Sequence, residues 1–280
     1  MGQNLLFFLK RKGRFSPAVA DYFARLRLHP TGDLRLGGAY DRAIAAYIDR
    51  LIGGIGIPET GAWQLLGGYA FPGTGTGAVP GLLSSHAAGT LVDFVTGDWN
   101  AKTGAEGNGT SKHTLLGRMN DASPQDDQAM FCYITVADSR TSFAVHMGAG
   151  TLLPGDGVTQ LATGVSGVGT ILRSRSFGVG NEITAGTPKP IGLLGVRRVA
   201  SDEFFGRYNG QNFSQPTSSI APANQPIRGF SRGAETPSFT NARQLLLLEC
   251  PALGTFDSAA DVAELDAATT ELANALAAIP

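Results

Sequence analysis

The sequence predicts a mainly β protein, an antiparallel sandwich with helices at its N-terminal end and one at its C-terminal end. Three observations predict it. From Ala62 to Pro251 the chain is a series of short apolar runs separated by clusters of Gly, Pro, Asn and Asp, the pattern of many short strands joined by frequent turns. Glycine is abundant, at 38 residues, and proline adds 15, which favours turns over long helices. Helical periodicity is confined to the two ends.

Taken in order, Ser16-Pro17 reads as an N-cap followed by proline at the first helical position. Val19, Tyr22, Phe23 and Leu26 then recur at i, i+3, i+4 and i+7, and Pro30-Thr31-Gly32 ends the helix. Ile44, Tyr47, Ile48 and Leu51 repeat the pattern, with Gly53-Gly54 as the expected stop. Candidate strands follow at 63–71, 90–94, 113–119, 129–136, 142–147, 157–163, 169–177, 191–199, 203–208, 211–215, 226–231 and 244–249. Asn209-Gly210, between Tyr208 and Gln211, is the two-residue turn that a tight hairpin favours, because both central positions need positive φ. A final helix is capped by Asp257 or Ser258, with Val262, Leu265, Thr269, Leu272 and Leu276 as its apolar face. No internal repeat is evident, which argues against a solenoid or propeller.

Composition narrows the function classes. Only 16% of residues are charged, against about 25% in ordinary soluble domains; such a surface suits a protein packed against neighbours. The formal net charge of −1 gives no electrostatic case for nucleic acid. No run reaches the ~20 apolar residues of a membrane span. Cys132 and Cys250 lie in apolar runs and read as buried free thiols, in keeping with synthesis in a reducing cytoplasm. At the N-terminus, Leu5, Leu6, Phe7, Phe8 and Leu9 precede Lys10-Arg11-Lys12. A signal peptide would place its charges first, and Leu6 stands where myristoylation wants Ser or Thr. The run reads as an apolar docking arm with a basic collar, or else as a frayed terminus or a short strand.

Several segments together resemble a group of bacteriophage virion proteins built on the concanavalin A-like, or laminin-G-like, lectin sandwich. They are the helix 39–52 leading through Gly53-Gly54-Ile55-Gly56 into Ala62-Trp63-Gln64-Leu65-Leu66-Gly67-Gly68-Tyr69-Ala70-Phe71, the hairpin segment Glu203-Phe204-Phe205-Gly206-Arg207-Tyr208-Asn209-Gly210, and 242–258 with the closing helix. The resemblance covers about residues 39–280 and implies a jelly-roll sandwich. It leaves 1–38 as an N-terminal docking arm and helix. It implies a structural module on the exterior of a virion, made in the bacterial cytoplasm: capsid decoration, head spike, or fibre or tail attachment. The expected partners are further copies of itself, a trimer by preference, and other virion proteins. A receptor-binding lectin at a fibre or spike tip recognising host surface polysaccharide is the second expectation, and a polysaccharide-cleaving enzyme the third.

Gly229-Phe230-Ser231-Arg232-Gly233 matches the nucleophile elbow G-x-S-x-G. Pro237 breaks the helix that should follow, and none of His29, His86, His113 and His146 lies downstream. A glycosidase needs two facing carboxylates, and Glu182, Glu203, Glu235 and Glu249 stand isolated. The Gly-rich segment 104–112 lacks the Gly-Lys-Ser/Thr order of a phosphate loop. No catalytic residue is expected. Asp121, Asp126 and Asp127 form an oxygen-rich loop that could hold calcium, the one cofactor considered; a solvated, Asp-capped turn is the simpler reading. Trp99 and Asn100 in a polar turn, and Tyr208 beside the hairpin, are candidate glycan contacts, although such rings more often plug the end of a sandwich.

Overall fold

The computed structural model describes residues 16–28, 38–57, 63–66, 75–79, 89–100, 102–151, 153–164, 169–178, 180–186, 189–222, 224–233 and 238–280. The proposed arm Leu5–Leu9 lies outside them. Helix α1 is Pro17–Leu28 and α2 is Gly38–Arg50, continued by a π turn over Leu51–Ile55. Sixteen strands follow: β1 Trp63–Leu66, β2 Gly75–Val79, β3 Gly89–Phe94, β4 Trp99–Asn100, β5 Gly104–Glu106, β6 His113–Met119, β7 Gln128–Val136, β8 Ala144–Ala149, β9 Val158–Thr163, β10 Thr170–Ser176, β11 Ile183–Ala185, β12 Gly192–Arg198, β13 Glu203–Tyr208, β14 Gln211–Pro216, β15 Pro226–Gly229 and β16 Arg243–Cys250. Helix α3 is Ala259–Ala277. The chain is thus mainly β, with helices at both ends, as the sequence predicts.

The strands form two antiparallel sheets. Sheet A runs β14-β13-β12-β7-β16-β5-β4, with β1 also paired to β16; sheet B runs β11-β10-β9-β8-β15-β6-β3-β2. Met130, Cys132, Ile134, Leu194, Val196 and Leu247 of sheet A meet Leu116, Met147, Leu161, Leu172 and Ile227 of sheet B between the sheets. The other face of sheet A is also buried. There Phe131, Tyr133, Leu193, Leu245, Leu246 and Leu248 pack against Val19, Tyr22 and Phe23 of α1, Ile44 and Ile48 of α2, and Val262, Leu265, Leu272 and Leu276 of α3. The helices use their apolar faces inside the chain, so they supply no argument for an oligomer.

Polar links fix the helical layer. Arg50 of α2 bridges Glu264 (2.7 Å) and Glu271 (2.5 Å) of α3, and the hydroxyls of Tyr47 and Thr269 are 3.1 Å apart. From the sheet, Arg207 reaches Asp266 at 2.6 Å. Ser258 caps α3: its side chain accepts from the Asp261 N–H while the Asp261 carboxylate accepts from the Ser258 N–H, a reciprocal capping box.

Two local expectations are refined. The hairpin turn forms as expected, with φ of 46° at Asn209 and 75° at Gly210 and Tyr208 facing Gln211. Gly53-Gly54 does not stop the second helix. The π turn carries it through both glycines, and it ends at Gly56 in the left-handed region, whose N–H donates to the Leu51 carbonyl.

Opposite Phe131, Gly195 supplies the space for the aromatic ring: a Cβ there would lie 1.9 Å from a ring carbon. Gly195→Ala is therefore expected to cost about 1–3 kcal/mol through overpacking, read from urea unfolding. An unchanged midpoint would mean that the ring does not lie over this glycine.

Candidate functional site

The glycan candidates are not brought together. β4, carrying Trp99 and Asn100, closes one edge of sheet A, and β13, carrying Tyr208, lies next to the opposite edge. The Trp99 ring packs on Phe94 at 5.1 Å and borders the inter-sheet core. Asn100 is exposed, but its side-chain oxygen accepts from the N–H groups of Lys102 and Thr103, closing a turn. Tyr208 is only 5% exposed and its hydroxyl donates to the Gly186 carbonyl at 2.8 Å. This corrects the expectation for Tyr208: a ring so enclosed offers no face for a sugar.

Two of the three loop carboxylates have separate structural tasks. Asp126 accepts from the Ser219 hydroxyl. Asp127 accepts from the N–H groups of Ala252 and Leu253, at 2.6 and 2.8 Å, and so anchors the segment leading to α3. Asp121 is exposed. Among the described residues no group of three or more His, Cys, Asp or Glu side chains could hold a metal ion. Both cysteines are free and buried, as expected.

The side chains best suited to acid–base or nucleophilic work are enclosed and engaged. Ser231 is fully buried and donates to the Arg232 carbonyl. His146, also fully buried, joins a relay: Thr240 donates to Asp138 (2.6 Å), His146 Nδ1 lies 3.2 Å from the Thr240 hydroxyl, and Nε2 lies 2.7 Å from the Thr163 hydroxyl. Because Thr240 gives its proton to Asp138, the network assigns the imidazole proton to Nδ1 and leaves Nε2 to accept from Thr163. Burial pushes the His146 pKa down to about 4, against the attraction of Asp138. For Asp138 itself, burial is outweighed by donors from Thr240, Arg140 and Asn241, which hold its carboxyl below the usual range.

A second enclosed network ties the two sheets. Glu249 of β16 is fully buried, pairs with Arg118 of β6, and accepts from Ser123 (2.7 Å) and Gln128 (3.3 Å). Gln128 in turn accepts from Thr159 of β9 at 2.7 Å. Burial raises the Glu249 carboxyl despite these partners. The desolvation of this carboxylate therefore outweighs what its partners return.

One polar constellation lies outside the two large cores, on the outer face of sheet B, beside a small buried cluster of Val145, Ala162 and Ile171. Residues directly opposite in adjacent strands share a face, and the register sets Leu115 against Arg228, Arg228 against Gly148, Gly148 against Gln160, and Gln160 against Arg173. Their chain neighbours Ile227, Leu161 and Leu172 point into the inter-sheet core, so Arg228, Gln160 and Arg173 point outward. Arg232 reaches over this row and donates to the Gln160 side-chain oxygen. Glu182 pairs with Arg173, and Asp156 adds a favourable charge near Arg232. His113, whose ring lies 5.9 Å from that of Phe239, stands near Arg228 and is held toward neutrality, first by burial. Sequence reasoning missed this row because its members lie far apart in the chain. The available signal was an arginine in the middle of each of two otherwise strand-like segments, 169–177 and 226–231.

With this geometry in place, similarity to known proteins can be stated. No protein-family model matches the chain, and no curated protein matches it in sequence. Among solved structures, it is similar to Trypanosoma rangeli sialidase in complex with sialic acid, with a TM-score of 0.52 and 12% identity over 91% of this chain and 38% of that one. The chain therefore spans under two fifths of the sialidase, and at such identity the likeness shows the fold alone. Looser matches include the enzymatically active domain of bacteriophage CBA120 tailspike protein 2 (TM-score 0.37, 13% identity, 68% of this chain and 28% of that one). Another is the botulinum neurotoxin serotype D binding domain (TM-score 0.38, 10% identity, 68% and 46%). At those scores neither adds to the fold assignment. The comparisons thus define a β-sandwich class and no particular member of it.

Two outcomes follow from the enclosed networks. Arg118→Ala leaves Glu249 buried without its cation and should cost about 3–5 kcal/mol, whereas the double change to Arg118→Leu and Glu249→Leu should cost clearly less; urea unfolding of both variants checks this. The depressed pKa of His146 means that the unfolded chain takes up a proton first as pH falls. Its stabilising contribution is complete above pH ~6.5 and is lost progressively toward pH ~4, about 3 kcal/mol in all. Unfolding free energies across that window should fall for the native chain, and the fall should be smaller for His146→Gln.

Proposed function

We propose that this chain is a non-enzymatic binding and assembly module on the exterior of a bacteriophage particle. The observation that carries the non-enzymatic part is the state of its reactive side chains: Ser231, His146, Asp138 and Glu249 are all buried and committed to structural hydrogen bonds. A hydrolase needs such groups beside a cavity that admits substrate. The virion setting rests on the resemblance of residues 39–280 to phage sandwich proteins. It includes self-association, as a trimer by preference, and docking to other virion proteins through Leu5, Leu6, Phe7, Phe8 and Leu9. A second reading, a receptor-binding lectin, is favoured by one observation, the outward row of arginines on sheet B.

Two measurements test the proposal. Incubated with capsular polysaccharide and lipopolysaccharide, the purified chain should release no reducing ends; release above a heat-denatured control contradicts the non-enzymatic reading. Deleting residues 1–15 should leave cooperative unfolding intact and abolish co-sedimentation with particles. Retention on particles would show that the arm is not the anchor.

A further inference from the structure

The outward row on sheet B carries more donors than the described residues satisfy. Gln160 is fully buried, and its side-chain nitrogen has no hydrogen-bond partner; the Nε atoms of Arg173 and Arg228 are likewise buried without partners. All three atoms are donors, so what is missing at each is an acceptor. Arg173 spends another of its nitrogens on Glu182. Arg228 has no hydrogen-bond or ion-pair partner among the described residues, and burial alone holds its pKa down, with no carboxylate opposing it. Partly desolvating a guanidinium without a counter-charge is unfavourable, and such an arrangement persists where a ligand supplies the charge.

The spacing is suited to a ligand group. Strands lie about 4.8 Å apart, so Arg228 and Gln160 stand two strands, roughly 10 Å, from each other. The position between them is Gly148, which brings no side chain but is closed in by the Thr159–Gln160 strand: a Cβ there would lie 2.9 Å from the Thr159 carbonyl oxygen. Among the described residues the row brings three guanidinium charges, Arg173, Arg228 and Arg232, and two carboxylates interact with them, Glu182 and Asp156.

We infer that the outer face of sheet B, between Arg228 and Arg173, is a binding site for an oxyanion, a carboxylate, sulfate or phosphate group. The inference deepens the reading of the chain as a binding module and rests on it. Arginine is suited to this task because its planar fork donates two parallel hydrogen bonds to such groups. Gln160 adds a neutral donor that is already desolvated.

The test is titration calorimetry on the full chain with inorganic sulfate, inorganic phosphate and glucuronate, with glucose as the neutral control and sodium chloride holding ionic strength constant. At least one oxyanion should bind and glucose should not. Arg228→Gln, which removes a side chain with no hydrogen-bond or ion-pair partner among the described residues, should fold normally and weaken binding at least tenfold; Arg228→Lys should restore part of it. The arm that binds most tightly tells whether a free anion or an acidic sugar is the source. Arginine Nε–H resonances of the native chain provide a second readout that needs no variant, and those of Arg228 and Arg173 should shift on titration. Absence of binding by all three anions, binding equal in Arg228→Gln, or unmoved Arg228 and Arg173 resonances overturns the inference. Such failure leaves the non-enzymatic reading standing. Sugar release from polysaccharide overturns that reading and leaves the anion site untouched.

Discussion

Sheet A has almost no solvent face at its centre, and much of the rest of the structure answers to that constraint. From Ala129 to Ile134 every residue of β7 is buried, and from Gln244 to Cys250 every residue of β16. These adjacent strands pair with Leu247 opposite Cys132 and Leu248 opposite Phe131. One face is closed by sheet B and the other by the three helices. Removing so much apolar surface from water is the main favourable term available to a chain of this kind, and it requires any polar group entering the layer to bring its partners. Arg198 enters and donates five hydrogen bonds, to the carbonyls of Ser174 (two bonds), Ala200, Glu203 and Thr217. Glu249 enters with Arg118, Ser123 and Gln128.

Much of this architecture is legible in the sequence. Both terminal helices declare themselves by periodicity and caps, and the Asn209-Gly210 turn by its backbone demand. Each of the twelve apolar runs overlaps a strand, with 67–71 of the first lying outside the described residues. The strands that escape notice are β2, β4, β5 and β11, which are short or rich in glycine and so lack the apolar signal. The continuous runs of β7 and β16 are informative in a way that simple alternation is not: a strand buried on both faces shows no period of two. In β16 the alternation is further broken by a bulge between Gln244 and Leu246, which lets Leu245 and Leu246 both point toward the helices.

Functional residues are much less legible, and the reason is topological. Trp99, Asn100 and Tyr208 attract attention because aromatic and amide groups occur in turns, but pairing places the first two at one edge of a sheet and the tyrosine on the strand next to the opposite edge, enclosed. Asp126 and Asp127 look like ion ligands in sequence; in space they hold separate loops. The row Arg228, Gln160 and Arg173 arises only when β15, β8, β9 and β10 are laid side by side. A single sequence carries no record of that register. The same assembly encloses chemically capable groups. His146 of β8, Asp138 of the segment after β7 and Thr240 of the segment before β16 meet inside the protein, where they are joined by hydrogen bonds.

The central claim is that the N-terminal helices are a structural layer of the sandwich. Val19, Tyr22 and Phe23 are buried in the same apolar cluster as the outer face of sheet A and α3. Native-state amide hydrogen exchange tests this most directly, because it resolves which segments open locally and which open only with global unfolding. The account expects the central amides of α2, β7 and β16 to share one opening free energy, equal to that of global unfolding, with α1 close behind. Exchange of α1 and α2 by an independent local opening, while β7 and β16 stay protected, would show that the sheet holds without its helical cover and would contradict the account.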